Sequence, residues 1–367
     1  MVVNRRRFLG AAGVGAGLLM TEGVAQAQAE YRVYLGTYTT WSGGGKGIGI
    51  GVADRTTGRV RSTGVISNVA NPSFVVVEGN RLYAVNESPQ GAVTAVSLDG
   101  ATPRVLNTKP TGGGDPCHLV VFQGHVISAN YSSGSVSVNP IKADGSLGDR
   151  TDHVRHQGSG PDQSRQAGPH AHQVVVDPRR EYVLAVDLGT DSVYTYRLAG
   201  GKLTPVSTAR VQPGAGPRHL AFHPNGQYAY IANELDSTLV VASYANGVLT
   251  PLAKLPTVPS GTPANPRNYP AEVLVSADGR FVYVSNRGHD SIAVFSVEGD
   301  TVKLLETTPV GGKFPRHLAL DASGKLLFAS NQNSNTVTTF TVDQGSGRVK
   351  LASTFTAPIP VCVALKG

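Results

Sequence analysis

The segment Pro217-Arg218-His219-Leu220-Ala221-Phe222-His223-Pro224-Asn225-Gly226-Gln227-Tyr228-Ala229-Tyr230-Ile231-Ala232-Asn233 has the pattern of a β-hairpin. A proline opens a short apolar run, an Asn-Gly turn follows, and a second apolar run ends in asparagine. Asn225 and Gly226 lie eight and nine residues after the proline. Asn-Gly supplies the positive φ that tight hairpins need. The same phrase returns as Pro270 with Ala277-Asp278-Gly279 and Phe281 to Asn286. It returns again as Pro315 with Ala322-Ser323-Gly324 and Leu326 to Asn331.

Prolines in this setting recur at 72, 116, 169, 217, 270, 315 and 360, at intervals of 44, 53, 48, 53, 45 and 45 residues. β-branched stretches such as Ser291-Ile292-Ala293-Val294-Phe295 and Thr336-Val337-Thr338-Thr339-Phe340 follow the hairpins, and a further turn leads to a last short strand. Four short strands in a unit of this length is the pattern of a propeller blade. The unit after Pro360 has room for only one strand. Residues 31–60 hold the missing pieces: Tyr31 to Gly36, Gly47 to Ala53, and Gly58-Arg59-Val60. One blade built from both chain ends would leave no open sheet edge. The fold predicted is an all-β, seven-bladed propeller over residues 31–367, one domain rather than two.

Composition agrees. The chain has 367 residues, 40% hydrophobic and 16% charged, with 44 Gly, 23 Pro and 2 Cys. Turns are frequent, yet the apolar fraction is too high for a disordered chain. Two cysteines cannot supply a disulfide scaffold or a Cys-rich zinc site. Cys117 and Cys362 fall on blades two places apart, so two buried thiols are expected.

The first 29 residues read as an address. Arg5-Arg6-Arg7-Phe8-Leu9 precedes a mildly apolar run from Gly10 to Met20, and Ala25-Gln26-Ala27-Gln28-Ala29 offers small-x-small cleavage sites. A basic region, a short apolar stretch and such a site make a secretory signal, and the twin arginine with a Gly-rich core resembles a Tat signal. The Tat export machinery is then a partner of the precursor, and the mature protein is periplasmic or secreted. The apolar run is too short to span a membrane. The formal charge of +7 falls to +5 without these residues. The remaining Lys and Arg are scattered, so neither nucleic acid nor a membrane is expected as a partner.

In a propeller the first strand of each blade lines the central channel and starts where the second strand ends. Residues just after each proline therefore share a face with residues at each terminal Asn. The first set contains Cys117, His118, His170, Arg218, His219, Glu272, Arg316 and His317; the second contains Glu87, Tyr131, Asp187, Glu234, Arg287 and Gln332. The two longest intervals place their excess at His156 to Pro169 and Pro256 to Tyr269, loops that would overhang the same mouth. Loops on a rigid scaffold commonly carry binding residues. His118, His219 and His317 share one register, which suits blade-to-blade hydrogen bonding as well as binding. Arg218, Glu234 and Arg287 are not repeated in every blade, which favours function over a blade-joining ion pair. Asp187 suits a turn cap. His170 and His172 stand two apart and could face one way, but spacing supplies no third ligand, so no metal and no cofactor is expected. No G-x-S-x-G, H-E-x-x-H or P-loop is present.

The stretches Tyr34 to Thr39, Gly158 to Pro161, Pro169 to His172, Asp187 to Asp191, Gly214 to His219, Asn233 to Asp236 and Ser285 to Asp290 resemble the lactonase family. That family includes the YbhE-type 6-phosphogluconolactonases and the propeller-type carboxy-cis,cis-muconate lactonizing enzymes. The resemblance implies a small-molecule lactone as substrate and a site of one His, two Arg and one Glu, which map here to His170, Arg218, Glu234 and Arg287. Around them it leaves His118, His172, His219, Glu272, Arg316 and His317 as substrate-binding candidates. Counted back from the Asp177-Pro178 turn, His172 rather than His170 takes the register of Arg218, so blade three carries one extra residue.

Opening a lactone needs a base to activate water and donors for the developing oxyanion. Glu234 or His170 would activate water; Arg218 and Arg287 would hold the anion and the oxyanion. Muconate-type lactonization, and a non-catalytic exported propeller that binds carbohydrate or protein, are the alternative expectations. Export also conflicts with a phosphorylated cytosolic substrate and favours a plain sugar lactone.

Overall fold

In the computed structural model, which describes residues 29–299 and 301–366, each repeat is a four-stranded antiparallel sheet, and seven such sheets form a ring. The hairpin quoted first gives strands Pro217–Phe222 and Tyr228–Asn233, followed outward by Thr238–Ala245 and Val248–Pro256. Its turn is closed by Gly226 at φ 70°, a left-handed conformation that a Cβ would strain. Blades are numbered here by their inner strands: Val75–Glu78 (blade 1), Pro116–Phe122 (2), Ala171–Val176 (3), Pro217–Phe222 (4), Tyr269–Val275 (5), Pro315–Leu320 (6) and Pro360–Lys366 (7).

The chain ends close the ring as the repeat count predicts. Pro360–Lys366 pairs antiparallel with Glu30–Thr37, Ala364 opposite Tyr34, and Gly47–Asp54 and Val60–Ser67 complete blade 7. Each blade interface carries its own apolar cluster, and alternation along a strand decides which side chain serves which interface. On Glu30–Thr37, Tyr31, Val33 and Leu35 pack with Leu326 and Phe328 of blade 6. Tyr34 turns the other way, onto Val75 and Leu82 of blade 1. On Phe281–Arg287, Val282 and Val284 join the blade 4 side while Tyr283 joins the blade 6 side.

The asparagine that ends each second run has a structural task. Asn233 Nδ2 donates to Thr238 Oγ1 at 2.9 Å, Asn331 Nδ2 to Thr338 Oγ1 at 3.0 Å, and Asn286 Nδ2 to the Thr257 carbonyl at 2.8 Å. Each ties the second strand to the third or to the incoming connection.

The inner strands are not regular. Pro116 and His118 face Asn130 and Ala129, Pro217 and His219 face Asn233 and Ala232, and Pro315 and His317 face Asn331 and Ser330. Cys117, Arg218 and Arg316 are thus extra residues in their strands. In blade 3 the register shifts between Ala171 and Gln173, which makes His172 the extra residue. A bulge re-aims the side chain it carries. These four residues stand at one level of the propeller mouth.

Candidate active site

At that level lies a cavity of about 210 Å³, lined on one side by Tyr131, Arg165, His172, Glu234 and Arg287 and on the other by Tyr38, Glu87, Cys117 and Arg316. A larger hollow of about 420 Å³ lies on the flank of blade 7 against Phe355 and Pro358, but Lys46 is its single ionisable lining residue. The chemistry is concentrated in the smaller space.

Glu234 follows the second strand of blade 4 and gathers three arginines. Arg287 Nη2 donates to Oε2 at 2.6 Å, Arg218 Nε stands 3.3 Å from the same oxygen, and Arg165 Nη2 donates to Oε1 at 2.5 Å. Burial alone would push this carboxyl up. The charges of Arg287, Arg218 and Arg165 outweigh burial and hold it down at about 2. Burial, with Arg287 and Arg316 nearby, presses Arg218 below its ordinary value, and its Nε and Nη1 are buried without a hydrogen-bond partner. Glu234 is therefore an anion throughout the neutral range, a holder of guanidinium groups and a poor proton acceptor.

Across the axis, Tyr38 Oη donates to Glu87 Oε1 at 2.8 Å, and Arg316 Nη2 stands 3.9 Å from that oxygen. Tyr38 stacks on Trp41, ring centres 4.4 Å apart. Burial pushes the Cys117 thiol up, so it is not a thiolate nucleophile. Both cysteines are buried and unbridged, as expected.

Below the cavity the next residue of each inner strand forms a second tier. His118 packs on Phe74 (3.9 Å) and edge-on to His219 (5.3 Å), while His219 Nδ1 donates to Glu272 Oε1 at 2.9 Å. His317 Nε2 lies 3.5 Å from Glu272 Oε2. Burial, then the neighbouring positive charges, depresses His118, His172 and His219 well below the ordinary histidine value. Burial raises Glu272. The His219–Glu272 contact is accordingly a hydrogen bond to a neutral imidazole rather than an ion pair.

The expected residues thus separate. Glu234, Arg287, Arg316 and His172 line the cavity, and buried Arg218 stands against Glu234 without lining it. His118, His219, Glu272 and His317 form the tier beneath it. His170, expected to be catalytic, does not line the cavity: its ring stacks on Tyr131 at 4.5 Å, and Nδ1 meets the Tyr131 carbonyl at 3.0 Å. The bulge at His172 is the cause, because it turns that imidazole inward in place of its neighbour. Asp187 does cap its turn, accepting Thr190 N at 3.0 Å. It also accepts His170 N at 2.9 Å and meets buried His156 at 2.6 Å.

Arg165 and Tyr38 escaped the sequence reading. Arg165 arrives on the first long connection, which Gln166 anchors to Asp191 Oδ1 at 2.8 Å. The second long connection meets the first where Arg267 faces Asp162 at 4.0 Å, and Arg267 Nη2 donates to the Leu235 carbonyl at 2.6 Å. Their lengths signalled the overhang, but not which side chain reaches in. Among the described residues no group of three or more His, Cys, Asp or Glu side chains is arranged to hold a metal ion.

Residues 32–365 match the family model described as lactonase, 7-bladed beta-propeller. The chain is 37% identical over 346 residues to the 6-phosphogluconolactonase of Bacillus subtilis, an alignment that covers 91% of this chain and 98% of that one. It superposes on a protein of Lactobacillus plantarum with a TM-score of 0.87 at 35% identity, covering 92% of this chain and 100% of the other. The periplasmic gluconolactonase of Pseudomonas aeruginosa superposes with a TM-score of 0.85 at 29% identity, covering 92% and 99%. Ring, mouth and sequence agree: this chain belongs to the seven-bladed β-propeller lactonases.

Proposed function

We propose that this protein hydrolyses a sugar lactone by water attack at the ester carbonyl in the cavity around Glu234. The observation that carries the proposal is the convergence of Arg165, Arg218 and Arg287 on that one carboxylate, beside a neutral imidazole. Glu234 fixes the guanidinium groups before substrate arrives, and preorganised donors are what a developing oxyanion needs. Arg287, which lines the cavity, offers its N–H edge to the carbonyl oxygen. His172 accepts a proton as water adds to the carbonyl carbon. It returns that proton to the ring oxygen as the acyl C–O bond breaks, leaving the hydroxy acid.

The residues named are those of an ester hydrolase that uses no covalent intermediate. Activity of the 6-phosphogluconolactonase and gluconolactonase type in the two named relatives supports a sugar lactone as substrate. A site of action outside the cytoplasm rests on the Arg5-Arg6-Arg7 segment. Residues 1–28, which carry most of that signal, lie outside the described residues. The test is the initial rate of aldonolactone opening, corrected for spontaneous hydrolysis. A saturable enzymatic rate is expected, and a rate equal to the buffer's would reject the proposal.

A further inference from the structure

One arginine that lines the cavity has no task in that mechanism. Arg165 and Arg287 donate to Glu234, and Arg218 stands in ion-pair contact with it, buried behind the lining. Arg316 makes no hydrogen bond to any described residue, and its nearest carboxylate oxygen, Glu87 Oε1, is 3.9 Å from Nη2, beyond hydrogen-bond reach. That oxygen is already engaged by Tyr38 Oη at 2.8 Å. Arg316 is the bulged residue of blade 6, aimed at the cavity it lines, and its Cζ stands 5.8 Å from the centre of the Tyr38 ring. The Arg316 side chain is about 17% exposed, so its five N–H donors are open toward the cavity and unclaimed by the protein.

Position gives the group its meaning. Arg316 leans toward Tyr38 of blade 7 and Glu87 of blade 1, whereas Glu234 and Arg165 come from blades 4 and 3, across the axis. Three guanidinium groups line the cavity with two carboxylates, Glu87 and Glu234, and Arg218 stands beside Glu234, so formal charge favours an anionic guest.

We propose that Arg316 is the specificity-determining residue of the site, gripping a carboxylate or phosphate on the lactone at the end remote from the scissile ester. The proposal rests on the lactonase reading for its substrate class and extends it to lactones that carry an anion. A planar donor fork fits both carboxylate and phosphate.

The test has two arms. Isothermal calorimetry of the wild-type protein with glucose 6-phosphate, glucuronate and glucose involves no catalysis. Binding of one or both anionic sugars at least about 10-fold tighter than glucose is expected, and which of them binds distinguishes phosphate from carboxylate. Fluorescence of Trp41, the sole tryptophan, stacked on Tyr38, gives a second readout. In the kinetic arm, the ratio of kcat/KM for an anionic lactone to that for gluconolactone is compared between wild type and Arg316→Gln. A fall in that ratio of about 10- to 100-fold is expected. Equal affinity for all three sugars, or an unchanged ratio, overturns the proposal. If no lactone is hydrolysed, the catalytic reading fails, while the same calorimetry on Arg316→Gln, in which the preference for anionic sugars should be lost, still decides the role of Arg316.

Discussion

Arg287 Nη2 and Arg218 Nε meet the same oxygen of Glu234, Oε2, at 2.6 and 3.3 Å. Two guanidinium groups from adjacent blades are thereby held side by side at the mouth of a channel, although like charges repel there. Glu234→Gln leaves three arginines without their counter-charge in a buried place. Breaking a buried ion pair by removing one partner costs about 3–5 kcal/mol. Urea denaturation should show a loss of that order together with lost lactone hydrolysis. Wild-type stability in this variant would contradict the anchoring role.

The two blade 3 histidines are expected to behave differently. His172 faces the cavity, while His170 is stacked on Tyr131 with Nδ1 against a carbonyl. His172→Gln should lower kcat by about 100-fold or more, the usual scale for a lost general base. His170→Gln should stay within about 10-fold of wild type, since it removes support for Tyr131 and not the proton acceptor. The reverse order would restore His170 as the base.

Acid sensitivity follows from the buried histidines at the cavity and in the tier beneath it. His118, His172 and His219 are held neutral, well below the ordinary histidine value of 6.5, by burial and nearby positive charge. The unfolded chain binds their protons below about pH 6.5 and the folded chain does not, so stability is full above that pH and falls as acid is added. Each imidazole adds up to about 1.4 kcal/mol per pH unit to the slope. Thermal melts should show Tm level from about pH 8 to 7 and declining below about 6.5. His118→Gln should decline less steeply, and a wild-type Tm that stays level to about pH 5 would contradict the assignment.

Ring closure can be tested by deletion. Removing residues 360–367 takes away the inner strand of blade 7, and with it Val363 from the blade 6 interface and Cys362 from the blade 1 interface. An exposed edge on Glu30–Thr37 then invites aggregation. The truncated chain should give no cooperative melt. A cooperative monomer with wild-type Tm would show that the terminal strand does not close the propeller.

The fold was legible because the blades meet one requirement in similar ways. A proline near the start of the inner strand, a tight turn after it and, in most blades, an Asn at the end of the second strand recur visibly. Much of the site was legible for a related reason: it departs from the repeat. Arg218, Glu234 and Arg287 stood out as residues not repeated in every blade; Glu234 and Arg287 line the cavity and Arg218 stands against Glu234. The His170–His172 choice was not legible from alternation, because a bulge breaks the two-residue period at that point. Counting back from the Asp177 turn detected the extra residue but left open which histidine faces inward. Arg165 was invisible for another reason: it joins Glu234 across 69 residues through a loop whose path depends on Gln166 and Asp162.

The most direct measurement is the opening of a purified aldonolactone by the wild-type protein beside Arg287→Ala, followed by proton release in weak buffer against the spontaneous rate. A saturable wild-type rate above background is predicted, with kcat/KM at least about 100-fold lower in Arg287→Ala, the scale of a lost oxyanion donor. A wild-type rate no faster than buffer, or full activity in Arg287→Ala, would contradict hydrolysis at the Glu234 cluster.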